Sequence, residues 1–152
     1  MLINILFKVH TRWNAAVVDT LVKGCTDTLI SRGVSKENII IHNVPGSFEL
    51  PFAAQKLITS SKSTATPFDA CIAIGVLIKG STMHFEYIAD ATSHGLMNVG
   101  LKTDTPVIFG VLTCLSEEQA QQRAGISVVA GDNAHNHGID WADTALEMAT
   151  LQ

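Results

Sequence analysis

Four short apolar runs alternate with longer segments of helical period, and this alternation constrains the fold more than any other feature of the chain. The runs are Leu2–Val9, Asn38–Val44, Ala70–Leu77 and Pro106–Leu112. Each has the length of a strand. The last two are apolar almost throughout, the pattern of strands buried on both faces. Between the first two runs, Val17, Leu21, Cys25 and Leu29 recur every four residues, joined by Val18 and Val22. That spacing predicts a helix from a cap at Asn14 to about Arg32, stopped by Gly33. Pro45-Gly46 reads as a turn, and Glu49-Leu50-Pro51 opens a second helix with proline in its first turn. Thr59–Pro67 reads as a polar surface loop. A third helix is expected from about Thr82 to Asn98, with Phe85, Ile88, Ala89, Thr92 and Leu96 on one face. Ser116-Glu117-Glu118-Gln119 forms a capping box for a short helix. Ile126–His137 reads as irregular, and Asp140 caps a last helix from Trp141 to about Leu151.

The order β-α-β-α-β-α-β-α-α with short connections implies a four-stranded parallel sheet covered by helices on both faces. The 152 residues fit one α/β domain, residues 1–152, with no internal repeat. In such sheets ligands sit outside the carboxyl ends of the strands. Thr11–Asn14, Pro45–Glu49 and Lys79–His84 follow three of these strands, so the search for chemistry narrows to them.

Composition excludes several function classes. Apolar residues make up 47% of the chain and charged ones only 16%, so part of the surface is expected to be buried against other copies. A formal charge of −4, from 10 basic and 14 acidic residues, is no footprint for nucleic acid or an anionic membrane. No apolar run approaches the roughly 18 residues of a membrane-spanning helix. Cys25, Cys71 and Cys114 are odd in number, far apart and set in apolar runs, which suits buried, reduced thiols in the cytoplasm. The apolar start Met1–Val9 lacks a basic lead and is interrupted by Asn4 and Lys8, unlike a signal peptide.

Lys79-Gly80-Ser81-Thr82 follows a buried strand and leads into a helix. Glycine permits close backbone approach, helix-start amides and hydroxyls donate, and lysine adds charge, so the segment suits a phosphate. The same spacing also describes an ordinary strand-to-helix turn, and GxxxxGK[ST] is absent. His84 could move protons beside a bound phosphate near neutral pH, or merely cap the helix. Trp13 could stack on a flat heterocycle with Asn14 reading its polar edge, or cover the end of the sheet. Turn amides of Gly46, Ser47 and Phe48 could hold a ring and Glu49 accept hydroxyl hydrogen bonds. Equally, Glu49 could be a solvated first-turn carboxylate. Arg123 alone reads as a surface charge. His135-Asn136-His137 is a weak metal signature, because no third ligand stands at a known spacing.

Taken together, Trp13-Asn14, Val44–Pro51, Gly75–Tyr87 (GVLIKGSTMHFEY), Pro106–Gly110, Glu118-Gln119-Ala120 and Arg123-Ala124-Gly125 resemble the lumazine synthase family almost from end to end. The spelling of GVLIKGSTMHFEYI, with HNHG later, is closest to its fungal branch. The resemblance implies a flavodoxin-like three-layer α/β/α sandwich. It also implies a transferase of riboflavin biosynthesis that joins a ribitylamino-pyrimidinedione to 3,4-dihydroxy-2-butanone 4-phosphate, with loss of phosphate and water and no cofactor or metal. The implied site lies between adjacent subunits of a homopentamer. By position, Trp13 stacks on the pyrimidine, and Asn14 and Glu49 hold the ribityl chain. Ser47 and Phe48, with Gly46, line the ring, the backbone of the strand end Leu77-Ile78 reads the ring's polar edge, and Lys79 beyond it is a further substrate-binding residue. Gly80, Ser81, Thr82 and Arg123 bind phosphate, His84 transfers protons, and Phe109 and His137 stand on the adjoining side.

Two positions depart from the commonest pattern of that family. His137 stands where many members carry lysine, so a fixed charge is replaced by an imidazole able to donate to a pyrimidine carbonyl. Tryptophan at position 13 replaces phenylalanine or tyrosine and offers a larger face, suited to a flavin such as riboflavin. A non-catalytic flavin carrier on the same scaffold is therefore the competing reading, although every implied site position holds a workable residue. Within the pentamer reading, Ile126–Ala134 is expected to project as an insert, with a turn at Gly131-Asp132-Asn133 that would block packing of pentamers into a shell. A first strand starting near Leu2 leaves no tail to lace pentamers together.

Overall fold

The computed structural model describes residues 6–126, 131 and 133–151. Four parallel strands, β1 (Leu6–Thr11), β2 (Ile39–Val44), β3 (Ala70–Ile78) and β4 (Val107–Cys114), form one sheet in the order β2-β1-β3-β4. Among the described residues there are five α-helices: α1 (Ala15–Ser31), α2 (Leu50–Ser61), α3 (His84–Thr103), α4 (Glu117–Arg123) and α5 (His137–Met148). Two apolar cores make the three layers. On one face Val18, Leu21, Cys25 and Leu29 of α1 pack with Ala142 and Ala145 of α5 against Ile72, Ile74, Ile108 and Leu112. On the other, Leu50, Ala54 and Ile58 of α2 and Leu96 and Val99 of α3 pack against Cys71, Ala73 and Val111. Alternate residues of β3 thus feed opposite cores, which is why its sequence is apolar without a break.

The register of the sheet builds the site. Thr11 at the end of β1 pairs with Val44 at the end of β2. The last β3 residue paired with β1 is Ile74, and β3 runs on for Gly75, Val76, Leu77 and Ile78 beside β4. β1 ends at Thr11, level with Gly75, so at about 3.3 Å per residue β3 stands roughly 10 Å proud of β1. The turns after β1 and β2 fill the step so formed.

Several expected boundaries move. Residues 2–5 of the first predicted strand lie outside the described residues, and β1 continues past Val9 to Thr11. Asn14 does occupy the α1 cap position, but in the left-handed region (φ 56°) and without a side-chain cap; its carbonyl accepts from Val17 and Val18. Gly33, at φ 97°, ends α1 as expected, with Val34 N–H returning to the Leu29 carbonyl. Part of the predicted polar loop, Thr59–Ser61, is the last turn of α2. There Ser61 is buried and accepts the Phe68 amide, so polar residues serve as helix rather than loop. α3 begins at His84, not Thr82, and continues to Thr103. Predicted face residues Thr92 and Leu96 are buried, and Val99 and Thr103 extend that face by two further turns. The capping box is realised: Ser116 Oγ accepts the Gln119 amide, and Gln119 Oε1 accepts the Leu115 amide. Asp140 is not the cap of the last helix. Asn136 is, its Oδ1 accepting the Gly138 amide. Of the expected insert, residues 127–130 and 132 lie outside the described residues.

Candidate active site

The step in the sheet holds a cleft of ≈ 580 Å³ lined by Trp13, Asn14, Pro45, Gly46, Ser47, Phe48, Glu49, Val76, Leu77, Ile78, His84 and Ile88. Nine of the sequence-predicted residues therefore share one space. Pro45, Val76 and Ile88 were not predicted. Ile88 had a signal, since it lies one helical turn after His84 and so shares its face.

The turn after β1 is tied to the wall of the cleft. Asn14 Nδ2 donates to the Val76 carbonyl at 3.2 Å, 62 positions away in sequence. The left-handed backbone at Asn14 is what aims the amide there instead of at the start of α1, and asparagine tolerates that conformation better than most residues. The Arg12 amide donates to the Val44 carbonyl at 3.1 Å, joining the two turns. Trp13 stays 72% exposed, with its indole beside Gly46: a methyl group at that glycine would stand 3.4 Å from the indole and 3.2 Å from Glu49 Oε2. Indole and carboxylate thus flank one patch of bare backbone, an arrangement open to a flat ring carrying hydroxyls.

The turn after β2 is anchored by Ser47. It is buried, and Thr92 Oγ1 of α3 donates to its carbonyl at 3.2 Å. Its hydroxyl lies where Gly75 leaves room, since a methyl there would come within 2.7 Å of Ser47 Oγ. Phe48, the next residue, is left exposed at the cleft mouth.

The segment after β3 is open. The Lys79 amide donates to the Cys114 carbonyl at 2.9 Å, and Thr82 Oγ1 accepts the His84 amide at 3.4 Å. Among the described residues, no backbone carbonyl accepts the amides of Gly80, Ser81 or Thr82. Lys79 itself is not in the cleft: its ammonium pairs with Glu86, one of whose carboxylate oxygens is otherwise buried without a partner. That lysine holds the Glu86 carboxyl below the usual range, helped by the Glu86 backbone amide. The Lys79 ammonium is thereby one side of an ion pair framing the loop.

Besides Lys79 and the loop residues Gly80–Thr82 that follow it, three predicted residues are not brought to the cleft of their own chain. Phe109 lies on edge strand β4, on the α2–α3 face and half-exposed. Arg123 ends α4 and His137 begins α5, on the opposite face. His137 and Trp141 rings lie 6.4 Å apart. Asp140 Oδ2 accepts from His135 Nε2 at 2.8 Å and lies 3.7 Å from His137 Nδ1. Burial keeps the His137 imidazole below its usual proton affinity. Arg123 and His135 reinforce this, and Asp140 opposes it. All three cysteines are buried, and burial pushes the Cys71 and Cys114 thiols up, away from nucleophilic chemistry. Among the described residues no group of three or more His, Cys, Asp or Glu is placed to hold a metal ion, and no helix is long and apolar enough to cross a membrane.

Comparison with known proteins agrees with this geometry. Residues 5–152 match the family model described as 6,7-dimethyl-8-ribityllumazine synthase. A protein of that name from Schizosaccharomyces pombe is 52% identical over 141 residues, which cover 92% of this chain and 82% of the relative. Another of that name from Pyricularia oryzae is 45% identical over 171 aligned positions, covering 92% of this chain and 84% of the relative. This chain belongs to the 6,7-dimethyl-8-ribityllumazine synthase family, transferases of riboflavin biosynthesis.

Proposed function

We propose that the chain condenses 5-amino-6-ribitylamino-2,4-pyrimidinedione with 3,4-dihydroxy-2-butanone 4-phosphate, with the site residues named above in their implied roles. The observation that carries this reading is the convergence of Trp13, Asn14, Glu49 and His84 on one cleft beside three amides without backbone acceptors. The pyrimidine stacks on Trp13, its ribityl hydroxyls meet Asn14 and Glu49, and the phosphate settles on Gly80–Thr82. The amine then attacks the ketone and water leaves to give an imine; phosphate is eliminated, and the ribitylamino nitrogen closes the ring on the remaining carbonyl with loss of a second water. Each step moves a proton, and His84 faces the space where these transfers occur. Holding both substrates in contact removes up to roughly 7–11 kcal/mol from the barrier, whereas a single proton-transfer group contributes about 10²–10⁴-fold. Alignment therefore dominates.

The phosphate needs a countercharge, and Lys79 is committed to Glu86. Arg123 supplies it in our reading, from an adjacent copy that also brings Phe109 and His137. A homopentamer with sites between neighbours follows from the resemblance, and exposed Tyr87, Met97 and Leu101 along α3 supply apolar surface for it. The same cleft admits riboflavin. We assign the protein to the cytoplasm, where its buried thiols remain reduced.

Mixing the two substrates with purified protein tests the reaction: lumazine fluorescence is expected, and riboflavin binding without lumazine formation would establish the carrier reading instead. Co-refolding His84→Ala with Arg123→Ala chains tests the shared site. If each site draws on two chains, random mixing rebuilds about one quarter of the sites with both halves intact. Activity no greater than the sum of the two variants would show that each site is confined to one chain.

A further inference from the structure

The HNHG segment looked like a poor metal signature, and the proposed chemistry uses only its second histidine. The asparagine between the two is the most constrained side chain in that region. Asn136 Nδ2 donates to the Thr20 carbonyl of α1 at 2.9 Å, and Oδ1 accepts the Gly138 amide of α5 at 2.9 Å. Its backbone forms an isolated antiparallel bridge with Ala124, the residue after Arg123, and the adjacent His135 amide donates to the Gln122 carbonyl at 3.0 Å. One residue therefore joins α1, the end of α4 and the start of α5.

The amide has a single workable orientation. Rotated by 180°, its NH₂ would face the Gly138 N–H and its oxygen the Thr20 carbonyl, donor against donor and acceptor against acceptor. Three glycines shape the space around it. A methyl at Gly24 would collide with the Asn136 side chain, and one at Gly138 with the Leu21 carbonyl. At Gly125, where φ is 76°, a methyl would come within 3.0 Å of the Asn136 nitrogen. The bridge also pins both ends of the connection from α4 to α5 at its base. Arg123 precedes one bridged residue, and His137 follows the other.

We propose that Asn136 is a positioning residue that locks Arg123 and His137 into one rigid unit against α1. This rests on the reading of those two residues as the adjoining half of the site. Their mutual placement is felt electrostatically, since the Arg123 charge acts on the His137 ring.

The test separates the tie to α1 from the cap of α5. Asn136→Asp and Asn136→Ser both keep an oxygen for the Gly138 amide, but the carboxylate has no donor for Thr20 and the serine hydroxyl stops one bond short of the Nδ2 position. KM for both substrates is expected to rise about 2- to 12-fold, the effect of one hydrogen bond, while kcat holds. A merely structural role would instead lower kcat through lost active protein and leave KM alone. If either variant fails to assemble, Gly24→Ala displaces the same amide from the α1 side and is expected to raise both KM values. Unchanged KM in the variants that remain assembled overturns the proposal. Arg123→Ala and His137→Ala run in parallel: if they too leave KM unchanged, the adjoining-half reading has failed; if they raise KM while the Asn136 variants do not, only the positioning role has.

Discussion

Replacing Trp13 by alanine isolates stacking from folding. The side chain is 72% exposed and lies beside Gly46, not in either core, so its removal is expected to change stability by no more than about 0.5 kcal/mol. Stacking of a heterocycle on an aromatic side chain contributes about 1–3 kcal/mol. At 1.4 kcal/mol per tenfold, the riboflavin Kd of Trp13→Ala is expected to rise roughly 5- to 140-fold, with Trp13→Phe between that and the parent. Equilibrium dialysis is the suitable assay. Tryptophan quenching alone is ambiguous, because Trp141 packs near His137 and would stand close to a neighbour's cleft in the proposed assembly. An unchanged Kd would refute stacking. A fall in thermal midpoint that parallels the loss of affinity would refute the separation of binding from stability.

Arg123→Ala is expected to raise KM for the phosphorylated ketone well above any change for the pyrimidine, measured by varying each substrate in turn; equal effects would remove its phosphate role. His84→Ala is expected to keep the fold and slow turnover by about 10- to 100-fold, at or below the low end of the acid–base range, in single-turnover kinetics. Glu86→Gln frees the Lys79 ammonium beside the loop, so inorganic phosphate is expected to compete more strongly with the phosphorylated substrate, and a weaker inhibition constant would count against the ion pair as a restraint. The His137 pKa is depressed in the folded state. Between that value and about 6.5 the unfolded chain binds more protons, so this contribution to stability is complete above about 6.5 and is lost as pH falls through the folded value. The thermal midpoint of His137→Gln is expected to lose that part of its pH slope.

The sheet was legible because periodicity reports burial directly. Ala70–Leu77 reads as a doubly buried strand, and β3 (Ala70–Ile78) is one. The cleft was legible for a related reason: parallel strands bring their carboxyl ends to one edge, so Trp13, Gly46 and Leu77 meet despite their separation in sequence. Helix ends were less legible. Asn14 and Asp140 both look like caps, but Asn14 is drawn to the Val76 carbonyl and Asp140 to His135, while Asn136 caps the helix that Asp140 was expected to begin. A short polar side chain satisfies whichever partner the tertiary structure offers, and local sequence does not encode that partner. The Lys79 ion pair was illegible for the same reason, because its partner Glu86 lies seven positions on, in the first turn of α3.

Phe109, Arg123 and His137 mark a different boundary of sequence reasoning. Period and spacing describe how one chain covers its own core, and these residues face away from the cleft that they are proposed to complete. What the fold does supply is their rigidity. Ala124 is fully buried, and its bridge to Asn136 joins the end of α4 to the start of α5. A surface arginine and a half-buried histidine on independent loops would lose side-chain and backbone freedom on meeting a ligand, at about 0.5–1.5 kcal/mol for each ordered side chain. Fixing the two backbones beforehand removes the loop part of that cost. The same reasoning explains why the cleft half is also built from restrained turns: Asn14 is held by Val76, Ser47 by Thr92, and the loop after β3 by Lys79 and Glu86. In the proposed assembly both halves would thus be organised before they meet, as catalysis dominated by alignment requires.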